Sequence, residues 1–184
     1  MVGRTAGTGH PAVPGRMTEF LADLFTQYHA SLVRVLYRRT GDRERAEEIA
    51  QEVFARAAVG APIRNPRPWL FAVALNLVRE DGRRSVRQGR RLQLLRAESP
   101  ESAPMPDHEY DREERTAAVR AALSQLTERD REALLLKAEG FNYDEIAATL
   151  GLAKGAIGTT LARARRRLVE AYRAGEKGSH AASG

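Results

Sequence analysis

The sequence contains no cysteine, which excludes disulfide bridges, thiolate metal sites and thiol catalysis and leaves redox control within the chain unexpected. Histidine offers little more. His10, His29, His108 and His180 are scattered, two of them in terminal stretches and one in a proline-rich segment, and no phosphate loop or metal-ligand cluster accompanies them. An enzyme is therefore not expected, nor any metal or other cofactor. No apolar run is long enough to span a bilayer or to serve as a secretory signal, so a soluble, cytoplasmic protein is expected. Lysine is scarce as well: of the 30 basic residues, only Lys137, Lys154 and Lys177 are not arginine. Codons rich in G and C account for much of that excess, so clustering says more than the total.

What is present bounds the answer further. The 184 residues are 42% hydrophobic, enough for one sizeable core or two small ones, and two fits the chain better. The net charge of +6 favours a polyanionic partner. Residues 1–16, rich in Gly, Pro and Thr, read as a disordered arm.

The stretch from Asn142 to Leu168 organises the rest. Asn142 with Glu145 forms a capping box for a short helix bearing Ile146, Ala147 and Leu150 on one face, and Gly151 ends it. A second helix follows from Lys154, with Ile157, Leu161, Ala164 and Leu168 inward. Lys154, Gly155, Gly158, Thr159, Ala162, Arg163 and Arg166 then face away from the core. Small and cationic residues on a second helix suit a major groove, since they permit close approach and reach phosphates and guanine edges. Two bundle helices with a basic solvated face would give a similar pattern.

Helical periodicity upstream begins near Thr18 and runs through Phe20, Leu24, Tyr28, Leu32 and Leu36 until Gly41. Asp42 caps the next helix, whose Ala46, Ile49, Ala50, Val53, Phe54 and Ala57 point inward while Glu44, Glu47, Glu48, Gln51 and Glu52 line the outside. That acidic face is either a solvated surface balanced by Arg43, Arg45 and Arg56 or a docking surface. Gly60, Pro62, Pro66 and Pro68 make a stiff loop displaying Arg64, Asn65 and Arg67. The helix from Trp69 is apolar nearly all round yet carries Asn76, which is either satisfied inside the bundle or offered to an outside group. Arginines from Arg79 to Arg91 continue it, as a single-strand binding surface would require. Residues 96–112, with their prolines and acids, form a flexible linker. Beyond it, Thr127 with Asp130 caps one helix, Gly140 closes it, and the segment past Tyr172 has no reason to fold.

AEEIAQEVF (Ala46 to Phe54), WLFAVALNLVREDGRR (Trp69 to Arg84) and the run from Leu123 to Leu168 resemble, in that order and spacing, the bacterial extracytoplasmic-function sigma factors of the sigma-70 family. The resemblance implies an all-α fold of two small helical domains, the second containing a helix-turn-helix. It divides the chain into a core-docking and minus-10 domain at 17–95, a minus-35 domain at 113–174 and a disordered tail at 175–184. It implies a factor that directs RNA polymerase core to specific promoters and initiates DNA opening, with promoter DNA and an anti-sigma factor as further partners. Glu48, Gln51 and Glu52 match the motif that contacts the polymerase clamp coiled coil. Arg64, Asn65, Arg67, Trp69 and Asn76 match the part that melts the minus-10 element, with Arg83 and Arg84 as its backbone-binding run. Lys154, Gly155, Gly158, Thr159, Thr160, Arg163, Arg165, Arg166 and Arg167 match the minus-35 reader.

The chain departs from the family pattern at three places. Gly158 and Thr160 stand where the recognition helix usually carries cations, and Leu75 stands where an arginine usually precedes the asparagine. Gly158 costs about 1 kcal/mol against alanine in a helix, which hints at close approach by DNA or by a neighbouring element. Upstream recognition is then expected to rest on Lys154, Thr159, Arg163 and phosphate contacts from Arg165 to Arg167. The alternative is a stand-alone sigma-like regulator without productive core docking.

Overall fold

The computed structural model describes residues 14–60, 63–92 and 117–182. Among these residues all regular structure is helical: α1 (Pro14–Thr40), α2 (Arg43–Val59), α3 (Pro66–Leu92), α4 (117–124), α5 (Glu128–Ala138), α6 (Tyr143–Leu150), a 3-10 turn (Lys154–Ala156) and α7 (Ile157–Ala182). The linker expected at 96–112 and most of the 1–16 arm lie outside the described residues.

Local chemistry sets the helix ends. Gly41 takes φ +80 after α1, and the Asp42 side chain then accepts the Arg45 N–H at 3.0 Å to open α2. Thr127 caps α5 by accepting the Asp130 N–H at 3.3 Å, and Gly140 closes that segment with φ +80. Two ends differ from expectation. α1 starts at Pro14 rather than near Thr18, because proline suits a first helical turn. α7 continues to Ala182, where an unfolded tail was expected. The alanines, Glu176 and Lys177 there are good helix formers, and a helix already nucleated by packing propagates through them.

The first three helices pack Leu32, Leu36, Ile49, Val53, Leu70 and Phe71 together; α4 to α7 do the same with Leu136, Phe141, Ile146, Ile157 and Leu161. Both expected helical groups are present. Their cores are nevertheless continuous, joined where the Phe71 ring meets Phe141 edge-on at 4.8 Å. Ion pairs ring this junction: Arg79 with Glu132, Arg34 and Arg38 with Glu139, Arg39 with Glu128 and Arg67 with Glu145.

Candidate functional site

The helix-turn-helix is built as its sequence dictates. Asn142 Oδ1 accepts the Glu145 N–H at 2.9 Å while Glu145 Oε2 accepts the Asn142 N–H at 2.8 Å, so two orphan amides of α6 are satisfied reciprocally. Gly151 takes the left-handed conformation at φ 63, and the Leu152 N–H returns to the Ala147 carbonyl at 2.9 Å. α7 therefore leaves the turn at a fixed angle, with Ile157, Leu161 and Ala164 buried beneath it.

The outward face of the 3-10 turn and α7 carries Lys154, Gly155, Thr159, Arg165 and Arg166, all exposed, with Gly158 half-buried. Lys154 pairs with Asp144 at 2.7 Å and Arg166 with Glu170 at 3.8 Å. A Cβ at Gly158 would meet the Tyr143 ring at 3.8 Å, an ordinary contact, so internal packing does not demand glycine there. Thr160 is a correction: it is only 5% exposed. The helical phase turns it inward beside Leu161 and Ala164, away from any duplex.

Arg163 and Arg167 are exposed, and each is also engaged from within the protein. Both converge on Asp130 of α5, a fully buried carboxylate. Arg163 Nη2 donates to Asp130 Oδ1 at 2.6 Å, Arg163 Nε lies 3.2 Å from the same oxygen, and Arg167 Nη1 donates to Oδ2 at 2.9 Å. Burial pushes the Asp130 carboxyl pKa up, but the bonds and charge of Arg163, with Thr127 and Arg167, outweigh it and hold the group below its ordinary value. A depressed folded-state pKa contributes stability above the unfolded value near 3.9 and loses it as pH falls through the folded one. The melting temperature of the wild type is therefore expected to begin to drop below about pH 5 and to keep dropping until the folded-state pKa is passed. Asp130→Asn should flatten that drop in thermal melts at stepped pH; an unchanged profile would remove Asp130 as its source.

In the first half, Arg64 and Asn65 are exposed, and Trp69 is half-buried at the side of an open cavity of about 530 Å³. Ala148 of α6 lines the same cavity, so the second half reaches to its edge. Asn76 is exposed, which settles the alternative left open by the sequence, and its Oδ1 accepts from Arg79 Nη1 at 2.7 Å. Arg83 and Arg84 are exposed about two turns beyond Asn76. Arg67 departs from the expected display on the loop. It turns away from the loop to the helix-turn-helix, donating from Nη1 to Glu145 at 3.1 Å and from Nη2 to the Glu139 carbonyl at 2.8 Å, with its guanidinium 3.9 Å from the Phe141 ring centroid. A buried ring and two acceptors offer it more than solvent does.

The acidic face of α2 stands outward as expected, with Glu48, Gln51 and Glu52 all exposed. Arg45 bonds Glu48 at 2.5 Å and Arg56 bonds Glu52 at 2.7 Å. Sequence reasoning missed Asp130 as a partner of the α7 arginines and missed Glu132, Glu139 and Glu145 as partners of the first half. For Asp130 a signal existed: an acid in a capped first turn opposite arginines spaced four apart.

Residues 24–88 match the family Sigma-70 region 2, and residues 116–168 match Sigma-70, region 4. The ECF RNA polymerase sigma factor EcfG of Rhodopseudomonas palustris (strain TIE-1) is 33% identical over 83% of this chain and 84% of its own length. The RNA polymerase sigma factor YlaC of Bacillus subtilis (strain 168) is 29% identical over 80% of this chain and 89% of its own. Among solved structures, the sigma factor RpoE in complex with the anti-sigma factor NepR from Bartonella quintana matches with a TM-score of 0.59 at 25% identity, covering 88% of this chain and 98% of that one.

Proposed function

This chain belongs to the sigma-70 family of RNA polymerase sigma factors, in its extracytoplasmic-function group, and from that premise we propose how its two halves divide the work of starting transcription. It directs RNA polymerase to promoters. Residues 17–95 dock on the clamp coiled coil through Glu48, Gln51 and Glu52, and they receive the opened minus-10 element along Arg64, Asn65, Trp69, Asn76, Arg83 and Arg84. Residues 113–174 read the minus-35 element as a duplex, with Lys154, Gly155, Gly158 and Thr159 toward the groove and Arg163, Arg165, Arg166 and Arg167 toward phosphates. Extruding a base costs a few kcal/mol in lost stacking, which a rigid aromatic and amide site beside arginines can offset.

The observation that carries this reading is the outer face of α2. Its inner stripe is consumed by packing against α1 and α3, while Glu48, Gln51 and Glu52 stay exposed. Exposed pairs such as Arg56 with Glu52 stabilise a fold by only about 0–1 kcal/mol, so the face gains little from its internal pairing. The closed packing of the halves supports the same scheme. Arg67 and one side of the Trp69 cavity are engaged by α5 and α6, and two readers joined by a linker gain avidity only when a scaffold holds both apart. The core enzyme supplies that scaffold. A groove of about 350 Å³ between the halves, with Tyr28 and Arg67 on one wall and Asp144 and Glu145 on the other, is a seat for an anti-sigma factor, as is the acidic face.

The test is co-elution of the purified chain with bacterial core RNA polymerase beside the double variant Gln51→Lys, Glu52→Lys. Wild type is expected to co-elute and the variant to bind at least roughly tenfold more weakly, since a reversed charge pair disfavours the docked state directly. Equal binding by both would overturn the assignment of this face.

A further inference from the structure

We propose that Asp130 is a positioning residue for upstream DNA binding: from α5 it holds the guanidinium groups of Arg163 and Arg167 in one fixed setting, prearranged to meet backbone phosphates. The proposal rests on the reading of α7 as the duplex-binding helix. Its starting point is a buried carboxylate bridging two arginines four residues apart on one flank of that helix.

Stability alone is a poor reason for such an arrangement. A buried ion pair roughly breaks even against well-packed apolar residues, because both charges must first leave water. Asp130 sits in the first turn of a capped helix, where the peptide dipoles favour a negative group and keep it ionised. Its charge-assisted contacts, with Nε and Nη2 of Arg163 and Nη1 of Arg167, engage only part of each guanidinium. The side chains of Arg163 and Arg167 nevertheless remain 43% and 46% exposed, so each keeps donors available to a second acceptor.

Placement along α7 says what that acceptor is. A recognition helix enters the major groove by its N-terminal end. At 1.5 Å per residue, Arg163 lies about 9 Å and Arg167 about 15 Å beyond Ile157, against a groove about 8.5 Å deep. The two arginines therefore stand at and above the groove rim, where phosphates line the wall and contacts fix register. A solvent-exposed arginine loses much rotamer freedom when it binds, and one already held on a carboxylate has surrendered most of that freedom. One acid serves two arginines, so the cluster keeps a net positive charge.

The sign of a single substitution separates this role from plain electrostatics. Asp130→Asn removes a negative charge beside the DNA face, so a purely coulombic account expects tighter binding and a steeper salt dependence. Positioning expects the opposite. The assay uses holoenzyme assembled from the full chain and core polymerase, on duplexes that wild-type holoenzyme has selected from a random-sequence pool, with affinity measured across a salt series. Asp130→Asn is expected to bind roughly tenfold more weakly, as two side chains must be ordered at the moment of binding. In the background of Arg163→Ala, Arg167→Ala, the same change should cost nothing further, because the acid acts through the arginines.

Unchanged or tighter binding by Asp130→Asn, with the arginine variant still weakened, would overturn the positioning role and leave the helix-turn-helix reading in place. An additive loss in the arginine-free background would also overturn it, since that is the behaviour of a merely structural residue. If the arginine variant binds like wild type and the selected duplexes share no upstream element, the reading of α7 itself fails, and the proposal with it.

Discussion

Replacing Arg79 with alanine is expected to separate the two halves of the protein without unfolding either. Arg79 rises from α3 and places Nη2 and Nε on the two oxygens of Glu132, with Nε at 3.0 Å. Glu132 belongs to α5 in the other half and is only 1% exposed. Hydrogen bonding to Glu132 raises the Arg79 pKa against the opposing effect of burial, so the guanidinium stays cationic. Removing one partner of such a pair strands the other as an uncompensated buried charge, at a cost of about 3–5 kcal/mol. Arg79 is itself partly exposed, which puts the expected loss at the low end of that range.

The chain has an escape open to it. If the halves part, the Glu132 carboxylate regains water, and the remaining ties at the junction are the Arg34–Glu139 and Arg39–Glu128 pairs, each with one exposed partner, the contacts of Arg67 and the apolar contact of Phe71 with Phe141. Small-angle scattering should show a larger radius of gyration for Arg79→Ala than for wild type, with far-UV dichroism unchanged. A compact variant with wild-type scattering would mean that apolar contact through Phe71 suffices to close the molecule.

The second large effect is expected at Phe141, the side chain on which the junction is centred. It is fully buried, with Phe71 edge-on at 4.8 Å and the Arg67 guanidinium 3.9 Å from its ring centroid. It also fixes the turn between α5 and α6, where its N–H donates to the Leu136 carbonyl at 3.1 Å. Phe141→Ala removes the ring from both partners and leaves a cavity that rigid helices cannot close. Such changes cost about 3–5 kcal/mol, and loss of the cation–π contact adds to it. For a chain of this size the melting temperature should fall by roughly 10 °C. Tyr143→Ala, at an exposed site two residues on, is the control and should stay within about 0.5 kcal/mol of wild type. A similar fall in both would assign the effect to the turn backbone rather than to the buried ring.

The two variants divide the molecule differently. Arg79→Ala removes a tie between halves that each retain their own helices, whereas Phe141→Ala also weakens the second half from within. Loss of helical signal should therefore accompany only the second.

What the sequence determined by itself was everything that a few neighbouring residues can encode. Gly41 and Gly151 mark turns because they tolerate positive φ, and Asp42, Thr127 and Asn142 open helices because their side chains reach an amide three residues on. The acidic face of α2 and the outward set of Lys154, Thr159 and Arg166 followed from helical phase in the same way. Thr160 shows where that reading blurs: one residue from Thr159, it falls to the buried side of α7, and its identity alone does not say so. The use of each arginine was decided by the tertiary structure. Arg67 meets Glu145 across 78 residues of chain, Arg79 meets Glu132 across 53, and Arg163 meets Asp130 across 33. A guanidinium binds a phosphate or a carboxylate by the same fork of donors, so local pattern marks it as anion-seeking and only the helix packed against it selects the anion.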